Sequence, residues 1–479
     1  MLTISEIQNI IQTDKASERK RHAEVGHRYY NGDHDIKHYR LFYYKTDGIL
    51  TEDKTRANFR IPHPFFTELV DQCVQYMLSG DSFVFAKNND EQLQKELDKY
   101  FDDEFTSELS DTLTDVCIGG FGYMYAYMSI AERTKFMYAD GMGVCEVMAK
   151  DTDDKCEYVV YWYIDRIDKG KKKIKRIQVW NKEKVEYFTE VDGDIVPDDN
   201  RPQNPRPHIL SKNTETEDRF GSSFGYIPFF RLDSDRRQTG HLKPVKSLID
   251  DYDLISCGLT NNIQDVADAV YVVKGFEGDN LDELQQNIKT KKLLGVTDEG
   301  GVDIVTTQIP TDARKIKLEL DEKNIYRFGM GFNSSQIGDG NITNIVIKSR
   351  YSLLDLKCNK LEKRLKAFVK KLCGVVIAEI NRNNDTAYTV DDIEIKFTRE
   401  IMSNAVDNAQ IENTEAQTIQ VKVNTLLNAA AQLGEESVID SLCTLLELDA
   451  DEVKKNLEDD TANALNALDS IIPEGESSE

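Results

Sequence analysis

Between Ile347 and Val375, apolar residues recur at steps of four and three without a break. They are Ile347, Tyr351, Leu354, Cys358, Leu361, Leu365, Phe368, Leu372 and Val375. That spacing predicts one apolar seam on a single helix. At ~1.5 Å per residue the seam is roughly 43 Å long, longer than an ordinary globular helix. The segment just before it, 329–344, is polar and glycine-rich and follows neither a helical nor a strand period. A polar loop that launches a long, stiff helix suits a lever or a ring-forming strut better than a catalytic pocket.

Other stretches divide by period. Residues 1–60 are charged and helical in character, with an aromatic cluster at Tyr29, Tyr30 and Tyr39 to Tyr44. Pro64 suits a first helical turn, and Phe65, Leu69, Cys73, Tyr76 and Met77 then share a face as far as Gly80. A second amphipathic helix is expected over 91–116, ended by Gly119 to Gly122 at a helix-to-strand turn. Residues 123–191 alternate and are rich in β-branched and aromatic side chains, which predicts an antiparallel sheet. The polar, proline-bearing stretch 192–223 reads as a long loop, and Tyr226–Leu232 as a closing strand. From Leu242 to Val270 the three–four step returns and predicts a helix of about 30 residues with Pro244 at its start. Residues 271–309 read as a small unit: a strand at 271–274, a helix over 281–291, and strands near 293–296 and 302–306. A helix resumes over 310–328, giving two helices that flank an inserted head. Val390–Arg399 alternates as a strand returning to the sheet. Helices are expected around 405–433, 435–446 and 450–468, with a polar, disordered tail after them.

Composition narrows the function. The chain has 479 residues, enough for several cores, and a formal net charge of −25. Tight phosphate binding comes from Lys and Arg, so this balance argues against a sticky nucleic-acid binder. The charge is uneven. Lys348, Arg350, Lys357, Lys360, Lys363, Arg364, Lys366, Lys370 and Lys371 crowd one helix, whereas residues 404–479 carry seventeen acids against Lys422, Lys454 and Lys455. The two segments either pair between neighbouring subunits or are solvated faces. No run approaches the ~20 apolar residues of a membrane span, and the N-terminus lacks the regions of a signal peptide. The chain is therefore expected in the cytoplasm, or in something assembled there.

Catalytic chemistry is not evident. There is no phosphate-binding loop, dinucleotide fingerprint, zinc-protease motif or nucleophile elbow. The eight cysteines form no C-x-x-C pair, and no histidine lies near them in sequence, so plain thiols are expected and no metal or cofactor. Asp250, Asp251 and Asp253 read as a solvated helix face, and Gly338 to Asn341 as a turn lacking the remaining ligands of a calcium loop.

The order of parts resembles the portal proteins of tailed bacteriophages, in particular those of siphophages with Gram-positive hosts. Three stretches carry the likeness: Asn58 to Gly80; Tyr226-Ile-Pro-Phe-Phe followed by Leu242 to Ser256; and Gly338 to Tyr351, where a channel loop runs into a long kinked helix. The resemblance spans roughly 20–450. It implies an α+β fold of portal type: N-terminal helices and a mixed helix and antiparallel-sheet wing (1–240), a first stem helix (241–270), a small α/β clip (271–309) and a second stem helix (310–328). A channel loop (329–344), a long wing helix with a return strand (345–403), a helical crown (404–470) and a tail (471–479) complete it. The family implies a non-enzymatic, typically dodecameric ring at one capsid vertex of the virion. Double-stranded DNA is packaged and ejected through it. The terminase large subunit, a head-completion or adaptor protein, and the major capsid or scaffold protein are the implied partners, with no membrane. The implied loop contacts to DNA are Asn333, Ser334, Ser335, Gln336, Asn341, Thr343 and Asn344, all short, neutral and polar. Lys348 and Arg350 would touch DNA or a neighbouring subunit. The competing readings are another head–tail connector or scaffold protein and, less favoured, a metal-dependent nuclease using paired carboxylates.

Overall fold

A computed structural model describes residues 2–45, 47–54, 56–80, 82–129, 133–149, 156–168, 172–191, 193–201, 203–212, 219–266, 270–274, 301–305, 310–333, 344–399, 417–426, 428 and 434–446. The chain divides into two compact units, Met1–Gln336 with Arg350–Ile401, and Ile337–Ser349 with Met402–Glu479. The architecture is α+β, mixed helix and antiparallel sheet.

In the first unit, α1 (Ile4–Lys15) and α2 (Glu18–Tyr30) lead through a hairpin, β1 (Phe42–Tyr44) and β2 (Leu50–Glu52), to α3 (Phe65–Met77). Strand β3 (Val84–Ala86), α4 (Glu91–Leu97) and α5 (Asp103–Gly119) follow. The single helix expected over 91–116 is thus two. Asp102 breaks it, because its carboxylate accepts from the Phe105 amide and caps a new helix. Helix α5 ends at Gly120, whose φ of 91° is the left-handed cap that turns the chain into β4 (Phe121–Met128).

Strands β4, β5 (Thr134–Ala139) and β14 (Phe229–Asp233) form one antiparallel sheet in the order β14-β4-β5. The larger sheet runs β10-β9-β8-β7-β6, built from β6 (Val144–Met148), β7 (Cys156–Asp168), β8 (Lys172–Trp180), β9 (Lys184–Val191) and β10 (Asp194–Pro197). The short β11 (Arg206–Pro207) adds to β9, and β12 (Ile209–Lys212) pairs with β13 (Arg219–Ser222). Neighbouring residues on a strand point to opposite faces. Accordingly Val159, Tyr161, Trp180 and Val185 pack with Phe121 and Tyr123, while Val160, Ile177 and Val179 pack on Ile7 and Ile11 of α1. The stretch 192–223 is therefore not a plain loop. Its strands are too short, at two to four residues, to announce themselves as a period.

Helix α6 (Lys246–Val266) is shorter than the periodic stretch from which it was expected: residues 241–245 form turns, and Pro244 precedes the helix. Strands β15 (Val270–Lys274) and β16 (Gly301–Val305) pair antiparallel, and α7 (Thr311–Gly329) follows. The helix expected over 281–291 and the strand near 293 lie outside the described residues. Helix α8 (Asn344–Asn384) runs as one element of 41 residues, roughly 60 Å. Leu354, Cys358, Leu361, Leu365, Phe368 and Leu372 are all buried, in a core shared with α3, α5 and α6. From Leu354 to Leu372 the seam is buried within its own subunit. Residues 390–399 differ from expectation. A 3-10 turn occupies Val390–Asp392, and the short β17 (Ile393–Ile395) pairs with β3, away from the large sheet.

In the second unit 417–426 is helical, α9 covers Glu435–Leu446, and Val438 and Cys443 are buried; the other expected C-terminal helices lie outside the described residues. No described helix is long and apolar enough to cross a membrane.

Two expectations about polar groups fail. The cysteines and histidines do meet: His241, Cys73 and Cys117 place a donor atom each within 4.8 Å of one another. Sequence spacing hides this, because α3, α5 and the strap before α6 converge from distant positions. Nor is the aspartate run of α6 solvated throughout: Asp250 and Asp251 are half-exposed and Asp253 is not exposed at all. Asp250 bonds Tyr29 and Lys246, Asp251 bonds Lys317, and Asp253 is fully buried between His34 and His63, at 2.7 Å from each Nδ1. Burial alone would raise the Asp253 pKa, but hydrogen bonds and charge from the two histidines hold it below the ordinary 3.8. A depressed folded-state pKa stabilises the fold above the unfolded value, and the contribution is lost as pH falls through the folded value. The melting temperature of Asp253→Asn is therefore expected below wild type at neutral pH. The two should converge in acid below 3.8, as followed by thermal melts across that range.

Candidate functional site

The polar segment after α7 begins on a fixed base. Helix α7 ends with Met330 in the left-handed region (φ 54°), which turns the chain away from the helix axis. Gly331 then crosses α3 so closely that a Cβ would stand 2.2 Å from Cδ2 of Leu69. At Phe332 the Gln72 side chain reads the backbone twice. Its Nε2 donates to the Phe332 carbonyl at 2.7 Å, and its Oε1 accepts from the Phe332 amide at 2.9 Å. The Phe332 ring stacks on Tyr351 of α8 with centroids 4.5 Å apart, and the Lys357 ammonium donates to the Gly329 carbonyl at 3.1 Å. Residues 329–333 are therefore rooted between α3 and α8.

Of the predicted contact residues, Asn333 is described, and its amide donates to Glu322 of α7 at 3.1 Å. Ser334, Ser335, Gln336, Asn341 and Thr343 lie outside the described residues. Asn344 opens α8, and Lys348 on its first turns is exposed; the side chains of Asn344 and Arg350 lie outside the description. Gln72 and Phe332 were not singled out from sequence, and Tyr351 and Lys357 entered there only as a seam residue and a basic residue of the long helix. Their roles come from crossings between distant elements, and only the aromatic pair bracketing the loop carried any signal.

Helices α6 and α7 pack together ahead of this base. Lys317 bridges Asp251 and the buried Asp321, while Tyr252 and Tyr326 each meet Phe65 of α3 edge-on. Both helices leave large apolar side chains uncovered: Leu254, Ile263, Ile316 and Leu320 are 44, 52, 65 and 51 % exposed. Leu353 and Leu356 of α8 and Phe328 at the end of α7 are exposed as well. On the basic face of α8, Lys366 pairs with Glu362 and Lys370 with Asp391, whereas Lys360, Lys363, Arg364 and Lys371 make no ion pair among the described residues.

Comparison with known proteins places the chain among relatives. The chain is 26 % identical over 375 residues to the portal protein of Bacillus phage SPP1, covering 78 % of this chain and 73 % of that one. It is 22 % identical over 448 residues to the portal protein of Clostridium phage phiCD119, covering 88 % of this chain and 92 % of that one. Neither name denotes an enzyme. The profile described as phage portal protein, SPP1 Gp6-like, matches residues 10–440. A match over so much of the chain, on a fold of helices and antiparallel sheets, makes this chain a member of the SPP1 Gp6-like family of phage portal proteins.

Proposed function

We propose that this chain assembles with copies of itself into a ring at a capsid vertex of the virion, and that double-stranded DNA is packaged and ejected through the ring's centre. The observation that carries this reading is the set of large apolar side chains left exposed on α6 and α7. A soluble monomer rarely leaves so many large apolar residues exposed along two adjacent helices, and a repeated subunit interface would cover them. In this reading α6 and α7 are the stem, 271–309 the clip, 329–344 the channel loop, α8 a radial strut of the wing, and 404–470 the crown. The clip meets the terminase large subunit during packaging and a head-completion protein afterwards, and the outer body meets capsid or scaffold protein.

The charge supports a conduit. Each neutralised phosphate adds affinity, and a strongly basic tunnel would hold DNA still. Short neutral side chains at Asn333, Ser334, Ser335, Gln336, Asn341, Thr343 and Asn344 touch a backbone weakly and read no sequence. Lys348 and Arg350 stand at the loop–helix junction as the charged contacts to DNA or to a neighbour. A nuclease reading is disfavoured by the same geometry: Asp250, Asp251 and Asp253 are each committed to cationic or hydrogen-bonding partners.

The test is a deletion. Removing 333–341 is expected to spare assembly and to impair DNA packaging or retention in a packaging assay. Normal packaging and retention by that variant would contradict the role given to the loop.

A further inference from the structure

Three fully buried cysteines and one histidine, far apart in sequence, meet where the strap before α6 crosses the body. Cys73 comes from α3, Cys117 from the last turns of α5 and Cys358 from the seam of α8. His241 lies four residues before Val245 on the strap, and its backbone amide donates to the Cys117 carbonyl at 2.8 Å. One donor atom each from Cys73, Cys117 and His241 falls within a 4.8 Å group. The Sγ atoms of Cys73 and Cys358 are 3.8 Å apart. That is the edge of a tetrahedron with ~2.3 Å metal–sulfur bonds.

Cysteines alone would pass as small apolar fillers. The histidine does not fit that account. Its Nδ1 is buried and has no hydrogen-bond partner, a state that buried polar groups rarely occupy. An imidazole nitrogen left without a hydrogen-bond partner is the kind of donor that ligates metals.

We propose that Cys73, Cys117, Cys358 and His241 form a structural site for a tetrahedral, thiolate-preferring divalent cation, zinc above all. Binding releases the three thiol protons to solvent and leaves three thiolates, one neutral imidazole and the ion, a net charge of minus one. The Lys357 ammonium is close enough to act on all three cysteines and is placed to offset that charge. Cys358 is the fourth donor, and its approach to Cys117 and His241 is the adjustment the ion requires. The ion has a way in: His241 lines a cleft of about 550 Å³ with Pro244, Phe328, Met330 and Leu356. A filled site ties α3, α5, α8 and the root of α6 at one point. The proposal does not depend on the portal reading.

The experiment uses the full chain, expressed and purified without chelator. Elemental analysis is expected to find one zinc per chain. Replacing the metal by Co²⁺ is expected to give the visible ligand-field bands of tetrahedral cobalt with thiolate charge-transfer absorption. His241→Ala and Cys117→Ser should lower affinity by more than the ~10–100-fold that loss of an outer partner costs. His241→Cys should keep the metal, as should Cys373→Ser, a buried cysteine outside the cluster. Chelation should lower the melting temperature of wild type and leave His241→Ala unchanged. The cobalt spectrum of wild type reads the site even where a variant fails to fold. Zinc no higher than the buffer blank with no cobalt spectrum would overturn the proposal. So would metal retained at full affinity in both ligand variants, or a Cys73–Cys358 disulfide seen as the loss of two hydrogens in the intact mass.

Discussion

Gly120→Ala is expected to lower the stability of the chain by roughly 2–5 kcal/mol. Two costs add. The residue sits at φ 91°, in the left-handed region where an L side chain is strained by ~1–2 kcal/mol. Its Cβ would also lie 2.2 Å from the carbonyl oxygen of Gln238 and 2.3 Å from the carbonyl carbon, backbone atoms with no rotamer to yield, and overpacking of that kind costs ~1–3 kcal/mol. The strap is tied down on both sides of the contact. Ser234 donates its amide to the Gly120 carbonyl at 2.9 Å, and His241 donates to the Cys117 carbonyl at 2.8 Å. The substitution therefore pushes at the root of α6 as well as at the end of α5. Denaturant unfolding of the variant reads the loss, with Gly193→Ala as its control. That glycine has a φ of 96° and open space around its Cβ, so it isolates the strain from the clash. Equal losses in the two variants would mean that the strap does not press on Gly120.

Ile316→Glu combined with Leu320→Glu is expected to turn assembled rings into free subunits. The two positions lie one turn apart on α7 and are both largely exposed in the subunit. Burying a large aliphatic side chain is worth ~1.5–3 kcal/mol, so the pair contributes roughly 3–6 kcal/mol to each interface it joins. At ~1.4 kcal/mol per tenfold, that weakens each contact by roughly a hundredfold to ten-thousandfold before like-charge repulsion is added. Glutamate is a good helix former, and neither side chain belongs to the subunit's core, so the monomer should keep its helical content and melting temperature. Light scattering separates the outcomes. A variant that still assembles like wild type would show that this face of α7 is not an interface.

Patterns with many repeats were legible in the sequence. The four–three seam on α8 holds residue by residue from Leu354 to Leu372, because each step places a side chain on the same buried stripe. The aromatic and β-branched alternation from β7 to β9 likewise survives as two packed faces. Features made by a single residue or by convergence were not. One carboxylate, Asp102, divides a helix whose apolar spacing runs straight through it. Residues 206–222 hold strands of two to four residues, shorter than any period can mark. Asp253 reads as one more acid on a charged helix, and only the arrival of His34 and His63 from a distant segment makes it buried. The same holds for His241 and its cysteines, separated by more than a hundred positions on either side yet joined by helix crossings. At the candidate site the long helix α8 was legible, but the anchoring of residues 329–333 by Gln72 and Leu69 belongs to the crossing with α3.

The central claim is that copies of this chain close into a ring around a channel. Electron microscopy of the purified full-length protein tests it most directly. The account predicts rings of uniform diameter with a central hole. A protein that stays strictly monomeric at every concentration, with no ring in any field, would contradict it.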